Sequence, residues 1–237
     1  MKRTIVILFL LVVAQSSFSQ KQNGLENLAE FDERLFHFGF TLGYNKSNFR
    51  MITNNSNYSL NGDSLIGLSV DPQAGFNLGI VTAMHLTKSL KMRFIPSLSF
   101  QERKVRYTYQ VPSIGDTTLV RDQKVESTFL DFPLNFKFRT YRASNFAASF
   151  LVGGKYSLDM ASQKDVTEDD ILKIKKPDFS FELGVGTDFF MQYFKFGLEI
   201  KYSMGIPNAL IQENNPWSRP IDSLKNQMWL LSITFEG

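Results

Sequence analysis

The sequence contains two histidines and no cysteine, which limits the chemistry it can carry. His37 and His85 lie in separate segments, and neither belongs to an HxH or HExxH pattern. The ligand spacing of a zinc site is therefore missing. A serine nucleophile would be signalled by a GxSxG turn or by a distinct Ser–His–acid set, and no GxSxG occurs. We expect both histidines to be structural, with no metal, no other cofactor and no enzymatic activity.

Charged residues at alternating positions offer a different chemistry, which is ion pairing. If their side of each strand faces a narrow enclosure, every charge needs a partner, because burying an isolated charge is costly. We expect ion pairs across that enclosure, with Glu182 or Glu199 facing Lys155 or Lys201. The residues predicted to point inward, with a structural role, are Lys91, Arg93, Lys137, Arg139, Lys155, Glu182, Asp188, Lys195, Glu199 and Lys201.

Strands with two unlike faces must position these charges. In residues 194–204 (FKFGLEIKYSM) every even position is large and apolar, and every odd position is small or charged. A period of 2 sustained in this way indicates a β-strand. Eight segments share the pattern, so the predicted fold class is all-β. The predicted strands cover about 35–44, 75–86, 90–100, 125–139, 146–158, 179–190, 194–204 and 228–235.

The predicted connections alternate between long and short. The long ones are residues 45–73, 102–124, 159–177 and 205–227, and KVRYTYQ (104–110) is able to extend the third strand. A barrel with both termini in the periplasm has short periplasmic turns and long external loops. Strands of about ten residues also suit a tilted crossing of a bilayer. We predict an eight-stranded antiparallel transmembrane β-barrel with four long external loops and short periplasmic turns.

The start of the chain resembles an export signal. Lys2 and Arg3 precede the apolar run 4–14, and small residues follow at Ser17 and Ser19. This is the pattern of a cleaved signal peptide. The predicted organisation is a signal peptide over 1–19, a short periplasmic leader over 20–34 and an outer-membrane barrel over 35–237. The expected location is the cell outer membrane, with its lipid as a partner.

Charge and proline placement test this interpretation. The formal net charge is +3 and falls to about +1 without Lys2 and Arg3, so we expect no nucleic-acid partner. Pro96 and Pro133 lie within predicted strands, although proline cannot donate to a ladder. A soluble, open-edged sheet would tolerate them better than a closed barrel would. In a barrel, we expect a bulge or a broken ladder beside each.

Several blocks of the chain resemble the PorT/SprT family of outer-membrane proteins, which serve type IX secretion and gliding motility. The blocks are residues 31–49 (FDERLFHFGFTLGYNKSNF), 76–105 (FNLGIVTAMHLTKSLKMRFIPSLSFQERKV), 125–138 (VESTFLDFPLNFKF) and 175–205 (KKPDFSFELGVGTDFFMQYFKFGLEIKYSMG). The second block contains Pro96, so that proline belongs to the shared pattern. The resemblance implies an accessory component for exporting cargo, with other type IX secretion components as partners. It implies no catalytic or ligand-binding residues.

The expected function is that of a non-enzymatic scaffold or assembly factor. A barrel of eight strands is just wide enough for its own side chains to fill, so it is not expected to be the conduit. Two alternatives stay open: a stand-alone adhesin or envelope-stability barrel acting through its loops, and a lipid-active enzyme. Trp217, in the last long loop, would anchor a partner if exposed. We expect it instead to join the outer aromatic girdle or to pack against neighbouring loops.

Overall fold

The chain forms ten β-strands and one short 3-10 helix within the residues that the structure describes. The structure is a computed structural model, and it describes residues 27–54, 58–60, 63–111, 117–161 and 171–237. The predicted signal peptide lies outside this part of the chain. The helix spans Ala29–Asp32. The strands are β1 (Phe36–Thr53), β2 (Ser59–Leu60), β3 (Asp63–His85), β4 (Leu90–Phe94), β5 (Ser97–Val111), β6 (Thr117–Arg139), β7 (Phe146–Asp159), β8 (Pro177–Phe190), β9 (Lys195–Gly205) and β10 (Ile221–Glu236).

The strands close into a ring. β1 pairs with β10 on one side and with β3 on the other, and the order continues through β9, β8, β7 and β6. β4 and β5 are two halves of one barrel strand, because both lie between β3 and β6. The short β2 pairs only with the start of β3. The prediction of an eight-stranded antiparallel barrel is therefore confirmed, and its closed ladder leaves no edge exposed to hydrocarbon.

The two ends of the barrel differ in their connections. At one end, called the turn end, the chain enters β1 and leaves β10. The other end is called the loop end. The connections at the turn end are residues 86–89, 140–145 and 191–194. At the loop end, the chain passes from β1 to β3, from β5 to β6, from β7 to β8 and from β9 to β10. In the described residues, no helix is long and apolar enough to cross a membrane.

An apolar band with an aromatic girdle at each edge surrounds the barrel. Aromatic rings on neighbouring strands contact each other within the girdles, as with Phe40 and Phe235 at 4.9 Å and Phe76 and Phe100 at 4.5 Å. Aliphatic residues such as Leu78 and Ile80 are exposed between the girdles. The turn-end girdle consists of Phe40, Phe146, Phe189, Phe194, Phe196 and Phe235, and the loop-end girdle of Phe76, Phe100, Phe132, Tyr156, Phe179, Tyr202 and Trp229. This outer surface is typical of a membrane-spanning barrel.

A ladder of ion pairs on the outer surface marks where the band ends. Lys104 Nζ lies 3.4 Å from Asp71 and 3.3 Å from Asp122. Arg106 contacts the same two carboxylates at 2.8 and 3.1 Å. Lys104 and Arg106 follow Phe100 of the loop-end girdle on β5, and Asp71 and Asp122 lie beside them on β3 and β6. The three strands therefore continue beyond the hydrocarbon into water.

The predicted loops 45–73 and 102–124 are wrong over most of their length. β1 continues to Thr53 and β3 begins at Asp63, while β5 continues to Val111 and β6 begins at Thr117. The extension through KVRYTYQ is confirmed, and β10 begins at Ile221 inside the predicted loop 205–227. Beyond the girdle the outer face turns polar, so the composition suggests loops although the backbone pairing persists.

Pro96 and Pro133 share one interruption of the ladder. Phe94 pairs with Leu134 and Ser97 pairs with Asp131, so the register is the same on both sides of the break. The Ile95 amide donates to the Pro133 carbonyl oxygen at 3.2 Å, and the Ile80 amide donates to the Pro96 carbonyl oxygen at 3.0 Å. The expected broken ladder is therefore present, as one break without a bulge.

The apolar band gives a prediction for charge insertion. Ile80 is 62% exposed within the apolar band, and Val120 is 51% exposed on the part of β6 beyond it. We expect Ile80→Arg to lower the free energy of unfolding in lipid vesicles by about 2–4 kcal/mol, because arginine is costly at the bilayer midplane. The matched control Val120→Arg should change it by less than about 0.5 kcal/mol. Equal effects of the two substitutions in urea titrations would contradict the placement of the band.

Candidate functional site in the barrel interior

All ten residues predicted to point inward have buried side chains. The strand alternation places the large apolar residues outside and these charged residues inside. They lie on five neighbouring barrel strands, β4 and β6 to β9, and point into the interior of the ring. The ten are Lys91, Arg93, Lys137, Arg139, Lys155, Glu182, Asp188, Lys195, Glu199 and Lys201.

The central cluster joins opposite walls of the barrel. Lys137 Nζ donates to Asp188 Oδ1 and to Glu199 Oε1, each at 2.8 Å. Arg93 donates to the same oxygen of Glu199. The three cation–carboxylate contacts connect β4, β6, β8 and β9, so they cross-link strands that are not all neighbours. Charges removed from water in this way stabilise the fold only when paired with good geometry.

Glu236 completes the cluster, and the sequence analysis missed it. Its carboxylate accepts hydrogen bonds from Arg93 at 3.1 Å and from Lys195 Nζ at 2.6 Å. The predicted last strand ended at residue 235, whereas β10 ends at Glu236. Trp229 and Leu231 point outward on this strand. The same alternation would have assigned Glu236 to the inward set.

A second cluster lies nearer the loop end. Lys155 Nζ lies 3.3 Å from Asp131 and 3.8 Å from Glu182. Asn135 Nδ2 donates to Glu182 Oε2 at 3.0 Å. Lys155 and Glu182 thus form one of the contacts that we expected, whereas Glu199 pairs with Arg93 and Lys137. Lys201 is buried beside this cluster and lines the same small cavity as Lys155 and Glu182.

Two glycines of β8 make room for the charged side chains. A Cβ added at Gly184 would lie 2.7 Å from Cγ of Lys201, and one added at Gly186 would lie 2.8 Å from Cγ of Glu199. Both distances are too short for real atoms. Larger residues at these positions would displace the side chains that fill the interior.

An apolar cluster closes the loop end of the barrel. Tyr107 and Trp217 pack edge to face at 5.0 Å, and the Tyr107 hydroxyl donates to the Trp217 carbonyl oxygen at 2.7 Å. Trp217 is 3% exposed, so it packs among the loops as we expected. Below this cluster, the buried Arg103 guanidinium lies between the rings of Phe49 and Phe129, at 4.8 and 5.1 Å. The cluster consists of Phe49, Val105, Tyr107, Tyr109, Val125, Leu172, Ile174, Leu210, Trp217, Ile221 and Leu224.

The leader closes the turn end. Phe31, in the 3-10 helix, is 5% exposed and packs with Ala147 and Phe190. Its ring stacks on His37 at 3.7 Å. The sequence analysis assigned residues 20–34 to a leader and gave them no contacts. The described part of that leader folds back into the barrel.

Asp32 fixes the leader electrostatically. Its carboxylate oxygens accept hydrogen bonds from both terminal nitrogens of Arg139, at 2.8 and 2.6 Å. Lys91 Nζ lies 3.5 Å away and His85 Nε2 3.6 Å away. Burial alone would raise the pKa of the Asp32 carboxyl, but the nearby His85 ring, the hydrogen bonds from Arg139 and the charge of Lys91 together lower that pKa well below its usual value.

The two histidines meet at the same end. The His37 and His85 rings lie 4.7 Å apart, and His85 Nδ1 lies 2.9 Å from the carbonyl oxygen of Arg34. Among the described residues, no group of three or more His, Cys, Asp or Glu side chains is arranged to hold a metal ion. The geometry therefore gives these rings packing contacts with the leader.

Side chains fill the interior between the two closed ends. The cavity beside Thr41, Asp131, Lys155 and Glu182 has a volume of about 20 Å³. Such a space holds about one water molecule. Together with the paired charges, these side chains fill the described interior between the two ends.

A closed antiparallel barrel with an apolar outer band, two aromatic girdles and a charged interior defines a small outer-membrane β-barrel protein. The chain belongs to the family of outer membrane proteins with a β-barrel domain, whose model matches residues 14–210. The protein is located in the cell outer membrane. Short turns face the periplasm in such barrels, so the turn end is periplasmic and the loop end is external.

The chain is similar to solved outer-membrane proteins at low sequence identity. Neisserial surface protein A (NspA) is 11% identical with a TM-score of 0.44, over 85% of this chain and 95% of that chain. OprG from Pseudomonas aeruginosa is 10% identical with a TM-score of 0.42, over the same shares. Ail, the attachment invasion locus protein of Yersinia pestis, is 13% identical with a TM-score of 0.37, over 86% of this chain and all of that chain. No curated protein sequence matches the chain.

The central cluster predicts a large cost for removing one partner. Lys137→Met should lower the free energy of unfolding by about 3–5 kcal/mol, because it leaves Asp188 without its close cation. The double variant Lys137→Met/Asp188→Leu should lose less unfolding free energy than the two single variants lose together. Each single substitution removes the same Lys137–Asp188 interaction, which the double variant loses only once. The control Lys124→Met removes a side chain that is 61% exposed and paired with Glu102. It should cost less than about 1 kcal/mol in the same urea titration. Additive single effects would contradict the coupling.

Asp32 predicts a pH dependence of stability. Because the pKa of Asp32 is lower in the folded state than the ordinary value of 3.8, its contribution is complete at neutral pH and declines as the pH falls through and below 3.8. The difference in unfolding free energy between the wild type and Asp32→Asn should shrink by about 1 kcal/mol between pH 6 and pH 3. A difference that stays constant or grows on acidification would contradict the ion pair with Arg139.

Proposed function

We propose that the protein is an accessory outer-membrane component of the type IX protein secretion system, a system that also serves gliding motility. In this proposal the protein acts as a scaffold or assembly factor. The resemblance of four sequence blocks to the PorT/SprT family supports the assignment to this system. The filled interior is the observation that supports a role other than the conduit. A barrel plugged at both ends and cross-linked by ion pairs between them offers no path for a protein cargo.

The same filling suits a scaffold. The apolar cluster around Tyr107 and Trp217 joins the loop-end connections to the wall at β5, and the central cluster of charges joins opposite walls of the barrel. Loops and turns held to such a core keep a fixed shape. A fixed shape reduces the ordering cost of binding a partner. The proposed partners are other components of the secretion machinery, and the proposed role involves no catalysis, cofactor or nucleic acid.

Deletion of the gene with complementation tests the proposal. We expect deletion to abolish cargo secretion and wild-type protein to restore it. The double variant Lys137→Met/Asp188→Leu should also restore it where it inserts, because the interior carries no cargo. The purified wild-type barrel should show no steady conductance in planar bilayers. Normal secretion in the deletion strain, with normal outer-membrane composition, would overturn the role in secretion, and a protein-wide conductance would overturn the scaffold.

One observation favours the adhesin as the second candidate. Ile66, Leu119 and Val120 are exposed on the strands beyond the loop-end girdle, in water and not in lipid. Exposed apolar residues on an external surface suit contact with another surface. Mild detergent extraction distinguishes the two functions. Secretion components that co-purify support the scaffold, whereas a lone barrel that binds host or matrix surfaces, and loses that binding in Val120→Ser, supports the adhesin.

A further inference from the structure

The turn end contains a pocket that the protein's own leader occupies. Two cations on the strands, Lys91 and Arg139, have the Asp32 carboxylate as their ion-pair partner in the described chain. The carboxylate of Glu236, on β10, is engaged elsewhere because it binds Lys195 and Arg93. The barrel wall therefore presents positive charge at its periplasmic end that a separate segment neutralises. We call the pocket formed by His37, His85, Lys91, Arg139 and Phe190 the cationic mouth.

The cationic mouth also has an aromatic subsite. The Phe31 ring stacks on His37 at 3.7 Å and meets the edge of Phe190 at 5.9 Å. Lys91 and Lys195 place their ammonium groups 5.2 and 5.0 Å from its centre. Cations at this distance from a ring are attracted to its face. The subsite thus recognises an aromatic residue, and the neighbouring Arg139 fork recognises a carboxylate that follows directly in sequence.

The leader is attached without joining the sheet. Arg142 donates to the carbonyl oxygens of Asn27 and Leu28, and Asn27 contacts Asn145 and Phe190. Leu28 has φ of 53°, a left-handed conformation that is unfavourable for leucine. A segment held by side-chain contacts and a few local hydrogen bonds can leave while the barrel ladder stays intact.

We propose that the cationic mouth is a binding site for an aromatic–aspartate pair in a periplasmic peptide, and that Phe31–Asp32 occupies it in cis. Charge complementarity and the aromatic subsite together define this ligand. A peptide from a partner would displace the leader and so couple partner binding to its release. The site is independent of the proposed role in secretion, because it rests only on contacts within the turn end.

A cysteine reporter measures whether the leader leaves. The wild-type sequence has no cysteine, and Ala147 is 1% exposed beneath Phe31. We expect Ala147→Cys to react slowly with a maleimide in detergent. Adding Phe31→Ala and Asp32→Asn should speed the reaction at least tenfold, because the plug loses both anchors. Circular dichroism and thermal melting check that the barrel stays folded. A cysteine that is equally protected in the triple variant would overturn an exchangeable plug.

Peptide protection in the triple variant then tests the ligand. The probe is the free peptide NLAEFDER, the sequence of residues 27–34, and its matched control has Asn in place of Asp. Its attachment to β1 gives the leader a millimolar effective concentration at the cationic mouth. The free probe should therefore protect the cysteine at millimolar concentration. The Asn peptide should need about tenfold more. Equal protection by the two peptides, protection by neither, or equal protection by inorganic phosphate would overturn the proposal.

Discussion

Hydrocarbon outside the barrel is the constraint on which the other features depend. Backbone groups facing lipid have no water to bind, so each must find a partner within the sheet. The ladder meets this condition by closing, with β1 paired to β10 and to β3. Closing with eight strands leaves a lumen only as wide as side chains. The polar side of each strand is then confined with its opposite neighbours, and the charges of Lys137, Asp188 and Glu199 have to pair there.

The break at the two prolines shows how that constraint is met where the ladder is imperfect. Pro96 and Pro133 both lack an amide hydrogen. Pro96 lies in the gap between β4 and β5, and Pro133 lies opposite that gap on β6. Their carbonyl oxygens still accept hydrogen bonds from Ile80 and Ile95. Ile95 turns inward and is 2% exposed. The two prolines therefore interrupt the ladder at one place, and the register is the same on both sides of it.

The sequence predicted the part of the fold where lipid sets the pattern. In residues 194–204 the outer face is apolar throughout, and the predicted strand differs from β9 by one residue at each end. The loop predicted over 102–124 is wrong where β5 leaves the membrane, because the apolar residues change sides there and only the extension through KVRYTYQ was anticipated. Phe100 points outward, whereas Val105 and Tyr107 are fully buried and point inward. This change of phase in KVRYTYQ is a signal that distinguishes a strand in water from a loop.

The interior charges were predictable as a set, but apart from Lys155 with Glu182 their partners were not. Alternation places Lys91 and Arg139 inside, yet it does not say that Asp32 neutralises them, since that contact depends on how the leader folds back. Trp217 and Arg103 are similar cases. Their positions depend on loops and rings brought together from distant parts of the chain, which local periodicity does not encode.

The position of Glu236 links neutralisation of the interior charges to closure of the barrel. It lies on β10, the strand that closes the barrel by pairing with β1. Its carboxylate accepts hydrogen bonds from Lys195 and Arg93. In a half-assembled sheet without β10, Lys195 lacks this acceptor and Arg93 keeps only Glu199. Such an intermediate carries surplus positive charge that hydrocarbon disfavours. Insertion into the bilayer and pairing of the first and last strands are therefore coupled. This coupling disfavours barrels that are only partly closed.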